Sequence, residues 1–171
     1  MTGTKKNARN KRIYIKKTGD DIYTMISYSL HYFQLIEELI RQYLKLVSEI
    51  ISKRSKDIPF NFQFYKENYS LGKLVDIFEQ LNNNEQLIKE LHKIAIDRNI
   101  VAHKVWHNLM SDLSKTIVKS KSHDKNIIDQ AINEMTGEHI YKLKKVCREA
   151  ATCLSSLSTE YQRIRAIREQ L

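Results

Sequence analysis

A single proline and four glycines are spread over 171 residues, and this scarcity of breakers constrains the fold more than any motif does. Glycine costs about 1 kcal/mol and proline about 3 kcal/mol inside a helix, so a chain that nearly lacks both is free to form long ones. Its long segments are rich in Leu, Ile, Lys, Glu and Gln, which lose little side-chain freedom in a helix. Apolar residues recur there at helical spacing, and no stretch shows the strict alternation of a strand. The expectation is an all-α helical bundle of four to six helices. With 42% apolar residues, a chain of this length can bury roughly 70% of its unfolded surface in one core without metal or disulfide staples.

Turn chemistry sets the expected boundaries. Residues 1 to 17 lack a helical apolar pattern and read as a flexible basic arm, with a short extended piece at Ile13-Tyr14-Ile15; residues 18–171 read as one domain. From about Asp20 to Arg54, Ile22, Met25, Ile26, Phe33, Ile36, Ile40, Leu44, Val47 and Ile51 keep helical spacing. The pattern breaks at Pro59, and the aromatic residues Phe60, Phe62, Phe64 and Tyr65 around it read as packing over the bundle. Ser70 can cap a helix over Leu71–Leu81, and Asn82-Asn83-Asn84 can end it. A further helix is expected from about Glu85 to Met110. After a polar break at Ser120–Asp124, a short helix covers Ile127–Met135, Gly137 stops it, and a last helix covers about Glu138 to Gln170.

Charge and cysteines narrow the partners. The formal net charge is +9 and the sequence pI about 9.5. Basic residues concentrate in Lys5, Lys6, Arg9, Lys11, Arg12, Lys16 and Lys17, and again in Arg163, Arg165 and Arg168. Such clusters attract phosphate backbones through counterion release, and they also occur as ordinary solvated surface. Cys147 and Cys153 lie on different faces of one expected helix and cannot bridge each other there, so they read as reduced thiols. No stretch reaches the roughly 18 uncharged apolar residues of a membrane span, and no apolar signal region follows the basic N-terminus. The expectation is a cytoplasmic protein with no membrane partner.

The segment that carries chemistry is Arg98-Asn99-Ile100-Val101-Ala102-His103. On a helical wheel, Leu87, Leu91, Ile94, Val101, Val105 and Leu109 fall within roughly 40° of one meridian, and Arg98 falls there with them. A guanidinium in an apolar stripe is costly unless it is paired or opens into a wet cleft. Asn99, His103 and His107 follow at i, i+4 and i+8 and form a polar row one turn apart.

With Arg98-Asn99-x-x-x-His103, followed by Trp106, the chain resembles the HEPN superfamily of small helical-bundle proteins. The likeness extends to Leu71-Gly72-Lys73-Leu74 at a helix start, a first long helix that bears Glu37, and Met135-Thr136-Gly137-Glu138-His139-Ile140 before the last helix. It covers roughly residues 20 to 170. Lys104 departs from it, since many similar sequences have Gly there.

The resemblance implies a metal-independent endoribonuclease, a toxin or defence factor that works as a homodimer whose two motifs share one cleft, with an antitoxin or other regulatory protein as a further partner. Chemistry fits that expectation independently. RNA cutting without a metal requires a group that moves protons between the 2′-hydroxyl and the leaving oxygen, and a cation that holds the developing phosphorane charge. His103 and Arg98 supply one of each, and Asn99 can orient the imidazole or donate to a phosphate oxygen. Glu37 and His107 are supporting candidates, Glu37 as a carboxylate partner for Arg98. Lys5, Lys6, Arg9, Lys11, Arg12 and Lys104 are the expected RNA contacts. No cofactor is expected.

Competing readings come from the same residues. The i, i+4 pair His103 and His107 has zinc-ligand spacing, but Lys104 stands where a metalloprotease helix needs Glu, and His92, His123 and His139 offer no evident third ligand. A non-catalytic HEPN-like module would keep Arg98 and Asn99 as structure while binding nucleic acid or protein. A purely structural dimerisation bundle would do neither.

Overall fold

The structure, a computed structural model, describes residues 4–55, 66–119 and 125–171; for residues 4–20 and for some residues between 106 and 135 it describes the backbone alone. The described residues are all-α and form five helices: α1 (Thr4–Arg54), α2 (Leu71–Leu81), α3 (Glu85–His103), α4 (Val105–Lys119) and α5 (Lys125–Glu169). No strand occurs among the described residues. No helix among them is long and apolar enough to cross a membrane.

Three boundaries differ from the sequence expectation. Helix α1 begins at Thr4 rather than near Asp20, so Ile13-Tyr14-Ile15 is helical and not extended. Once a helix is nucleated, each added residue contributes a backbone bond, and an apolar face is not required for its backbone to propagate. The motif helix expected to reach Met110 is divided at Lys104, yet Lys104 N bonds Ile100 O and Asn108 N bonds Lys104 O, both at 2.8 Å. The i→i−4 ladder therefore passes through the division. The two expected C-terminal helices are one, α5, with Gly137 in its interior. The aromatic run Phe60, Phe62, Phe64 and Tyr65 and the break at Ser120–Asp124 lie outside the described residues.

Gly137 is no helix stop because nothing about its backbone requires glycine. It has no positive φ, and a Cβ built there meets nothing within 4 Å. Gly137→Ala should therefore stabilise the fold by about 0.5–1 kcal/mol. Thermal melting should rise by roughly 2 °C; a fall would mean that the bare glycine makes an approach that a methyl group blocks.

The chain forms two compact units. One comprises His31–Arg98 and Arg148–Leu171. Its core is built from Phe33, Ile36, Ile40 and Leu44 of α1, Leu74, Val75 and Phe78 of α2, Leu87, Leu91 and Ile94 of α3, and Ala150 and Leu157 of α5, all buried. The spacing of these positions is the helical spacing of the sequence, and burying each large side chain contributes about 2 kcal/mol relative to leaving it exposed. Tyr43 and Phe78 pack with ring centroids 4.7 Å apart.

Caps fix the α2–α3 hairpin of this unit. Ser70 Oγ accepts from Lys73 N at 3.5 Å at the start of α2, and Asn84 Oδ1 accepts from Leu87 N at 3.1 Å at the start of α3. Arg41 donates to Tyr69 O at 3.0 Å and so holds the segment before α2 against α1. Between the two helices, Asn82 Nδ2 donates to Glu160 Oε1 at 2.7 Å and to Tyr43 Oη at 3.0 Å. Helices α1 and α5 run parallel here: Tyr43 and Glu160 meet at Asn82, and further along both helices Arg168 pairs with Glu49 at 3.3 Å.

The second unit takes α1 up to Leu30 together with Asn99–Cys147. Ile22, Val101, Val105 and Leu143 are buried in it. The fully buried Ser29 donates to Met25 O at 2.8 Å and lies 3.0 Å from Cys147 Sγ, which ties α1 to α5. Cys147 and Cys153 are both free thiols, and burial pushes the Cys153 thiol up to about 12.

Candidate functional site

Helix α3 delivers the motif at its C-terminal end. Arg98 is half-buried, as its place on the apolar stripe beside Ile94 and Ala95 implies, while Asn99 and His103 are exposed. Arg98 and Asn99 each have a partner. By compactness Arg98 is counted with the first unit, and Asn99 and His103 with the second. Asn99 and His103 stand one turn apart, and the next turn begins at Lys104, which is exposed, as is His107 on α4. The side chains of Lys5, Lys6, Arg9, Lys11 and Arg12, and that of Trp106, lie outside the described residues.

Glu37 makes its ion pair along its own helix, with Arg41 Nη2 at 2.6 Å. The spacing that makes this pair is i, i+4. Its carboxylate therefore serves an α1 arginine that also anchors the approach to α2.

In the second unit a groove of about 590 Å³ opens between α4 and α5. Val101, Val105 and Leu143 form its apolar floor, and all three are buried. Its walls carry His107, Asn108, Ser111, Asp112 and Lys115 from α4, which recur at i, i+4 and i+8, and His139 and Lys142 from α5. Asp112 is the carboxylate among these lining residues. It faces His139, with Oδ2 3.5 Å from Nε2, and Lys115, with Oδ1 3.9 Å from Nζ. The His139 side chain is only 15% exposed, so its ring is held by packing as well as by Asp112.

This assembly was not visible in the sequence. In the sequence His139 stands out only as part of the segment before the last helix and as a zinc candidate without partners, and Asp112, Lys115 and Lys142 do not stand out. The i, i+4 spacing of His107, Ser111 and Lys115 was readable, but only packing decides that this face of α4 meets His139 and Lys142. Among the described residues, no three His, Cys, Asp or Glu side chains are grouped so that they could hold a metal ion. His123, one of the third ligands weighed for the zinc reading, lies outside the described residues.

Chemically, the second unit presents two imidazoles, two ammonium groups, a carboxylate, an amide and a hydroxyl around an apolar floor, with a further exposed imidazole and amide on the last turns of α3. Such a set can bind phosphate oxygens, and imidazole is the side chain suited to proton transfer near neutral pH. No family model, curated protein or solved structure matches the chain.

Proposed function

We propose that the chain is an endoribonuclease that cuts RNA without a metal. In this reaction the 2′-hydroxyl loses its proton and attacks the adjacent phosphorus, the bond to the 5′-oxygen breaks, and that oxygen takes up a proton. The products are a 2′,3′-cyclic phosphate and a 5′-hydroxyl. His103 moves the proton, Asn99 orients the ring or the phosphate, and Arg98 supplies the cation that holds the developing charge. The observation that carries this reading is that Asn99 and His103 are exposed on consecutive turns at the end of α3. A histidine on the surface can reach a polymer, whereas a core histidine cannot.

A homodimer would contribute a second His103, so that acid and base need not be one ring. Sedimentation is then expected at about twice 20.2 kDa. A protein that stays at the monomer mass of 20.2 kDa at micromolar concentration, with and without RNA, counts against the shared cleft. The net charge of +9 supports a polyanionic substrate, and action on cellular or invading RNA fits a toxin or defence role under control of a partner protein.

Incubation of the purified chain with RNA in EDTA tests the proposal. Fragments with 2′,3′-cyclic phosphate ends are the expected result. Intact RNA bound with strong salt dependence would replace the enzyme by a binding module, and absence of both would leave a structural bundle.

A further inference from the structure

We infer that the α4–α5 groove binds a terminal phosphate monoester of RNA, and so gives the proposed ribonuclease a preference for phosphorylated ends. The inference takes its polymer from the proposed function, but the phosphate recognition rests on the groove itself.

The charge inventory selects the ligand class. Lys115 and Lys142 place two fixed positive charges in the walls, Lys115 3.9 Å from Asp112 and Lys142 3.8 Å from Glu138, which stands outside the lining, and His107 and His139 add two rings that can donate hydrogen bonds. Asp112 is the one carboxylate in the lining; it faces His139 and offsets the charge of Lys115. Asn108 and Ser111 provide neutral donors. The lining therefore carries two lysines against one carboxylate and more hydrogen-bond donors than acceptors, which favours an anion. Its low-dielectric floor of Val101, Val105 and Leu143 strengthens the field within it.

The same inventory separates a monoester from an internal diester. A phosphate monoester carries about −1.5 to −2 at pH 7 and three acceptor oxygens, and a diester in the chain carries one charge. Two lysines and two imidazoles can engage the extra charge and oxygen, and charge-assisted hydrogen bonds are the strong class. The apolar floor suits the flat body of the terminal base, and about 590 Å³ lies within the range of sites that enclose a ligand of this size.

The test uses the full chain and 2′-O-methyl RNA, which lacks the attacking hydroxyl and stays uncut. Fluorescence anisotropy compares one sequence with a 5′-phosphate, with a 3′-phosphate and with hydroxyl ends. At least one phosphorylated arm should bind roughly fivefold tighter than the hydroxyl arm, consistent with one added charge-assisted contact. Which arm does so identifies the end. Lys115→Ala with Lys142→Ala should abolish that ratio, while Lys73→Ala, on the exposed face of α2, should leave it. Circular dichroism and melting show whether the double variant is folded; if it is not, Ser111→Asp, which adds one negative charge to the wall, replaces it with the same expected loss. Equal affinity of all three arms, or a preference that survives these changes, overturns the inference. Loss of cutting in the ribonuclease assay with an intact end preference would instead overturn the proposed function alone.

Discussion

His103→Ala is expected to slow RNA cutting by at least about a hundredfold, the usual contribution of a positioned proton carrier. Stability should change by no more than about 0.5 kcal/mol, because His103 is exposed at the end of α3 and packs into neither core. Arg98→Ala should behave differently. Arg98 is half-buried and partnered, so truncation removes packing along its stem as well as the transition-state cation, and both melting and cutting should fall. Glu37 keeps Arg41 in that variant, which limits the structural loss to Arg98's own contacts. Single-turnover assays beside thermal melts, under one set of conditions, read both quantities. Cutting at the wild-type rate by folded His103→Ala would falsify the catalytic assignment.

Much of this was legible because it depends on local rules. The α2 boundaries at Leu71 and Leu81 follow from Ser70 and the Asn82–Asn84 run, whose side chains cap in the way short polar groups at helix ends do. The core positions Leu87, Leu91, Ile94, Val101 and Val105 lie on one meridian and are buried. Where competing local signals were weak, the reading failed: Gly137 looked like a stop, but a glycine with no positive φ only lowers propensity. The exposure of Asn99 and His103 follows from their angle off the apolar stripe. The groove could not be read, because Asp112 and His139 belong to different helices and meet only through packing.

The largest stability effect is expected at Glu160, which with Ser29 makes up the two buried polar or charged residues among the described residues. Its Oε1 accepts from Asn82 at 2.7 Å and from Arg163 Nη2 at 2.6 Å. The Arg163 hydrogen bonds hold its carboxyl below the usual range, against the opposing effect of burial, and Asn82 acts in the same direction as Arg163. Glu160→Ala removes the acceptor at the point where α2, α3, α1 and α5 of this unit converge. Arg163 is more than half exposed and is resolvated, so the loss comes mainly from Asn82 and the cavity, about 2–3 kcal/mol. A fall in melting temperature of roughly 5–10 °C is expected. Glu160→Gln keeps the shape and should recover part of it.

The pH dependence has a definite sign. A carboxyl whose pKa is lower in the folded state binds fewer protons there than in the unfolded chain. Its contribution is complete above the unfolded value, near 4.5, and is lost as pH falls through the depressed folded value. Wild type should therefore lose more stability on acidification through that window than Glu160→Gln does. Parallel slopes for the two proteins would show that the carboxylate is not the linked group.

The bonds around Glu160 and Cys147 also order events in time. Asn82 and Glu160 are 78 residues apart, and Ser29 and Cys147 are 118 apart, whereas Glu79 and His92, which join α2 to α3, are separated by 13. Closing a long loop sacrifices chain entropy before its contacts repay it, so the α2–α3 hairpin forms early and α5 docks last. Substitutions on α5 then act after the folding barrier. Glu160→Ala should accelerate unfolding and leave the refolding rate nearly unchanged, which makes the last helix to arrive the one that sets how long the native state endures.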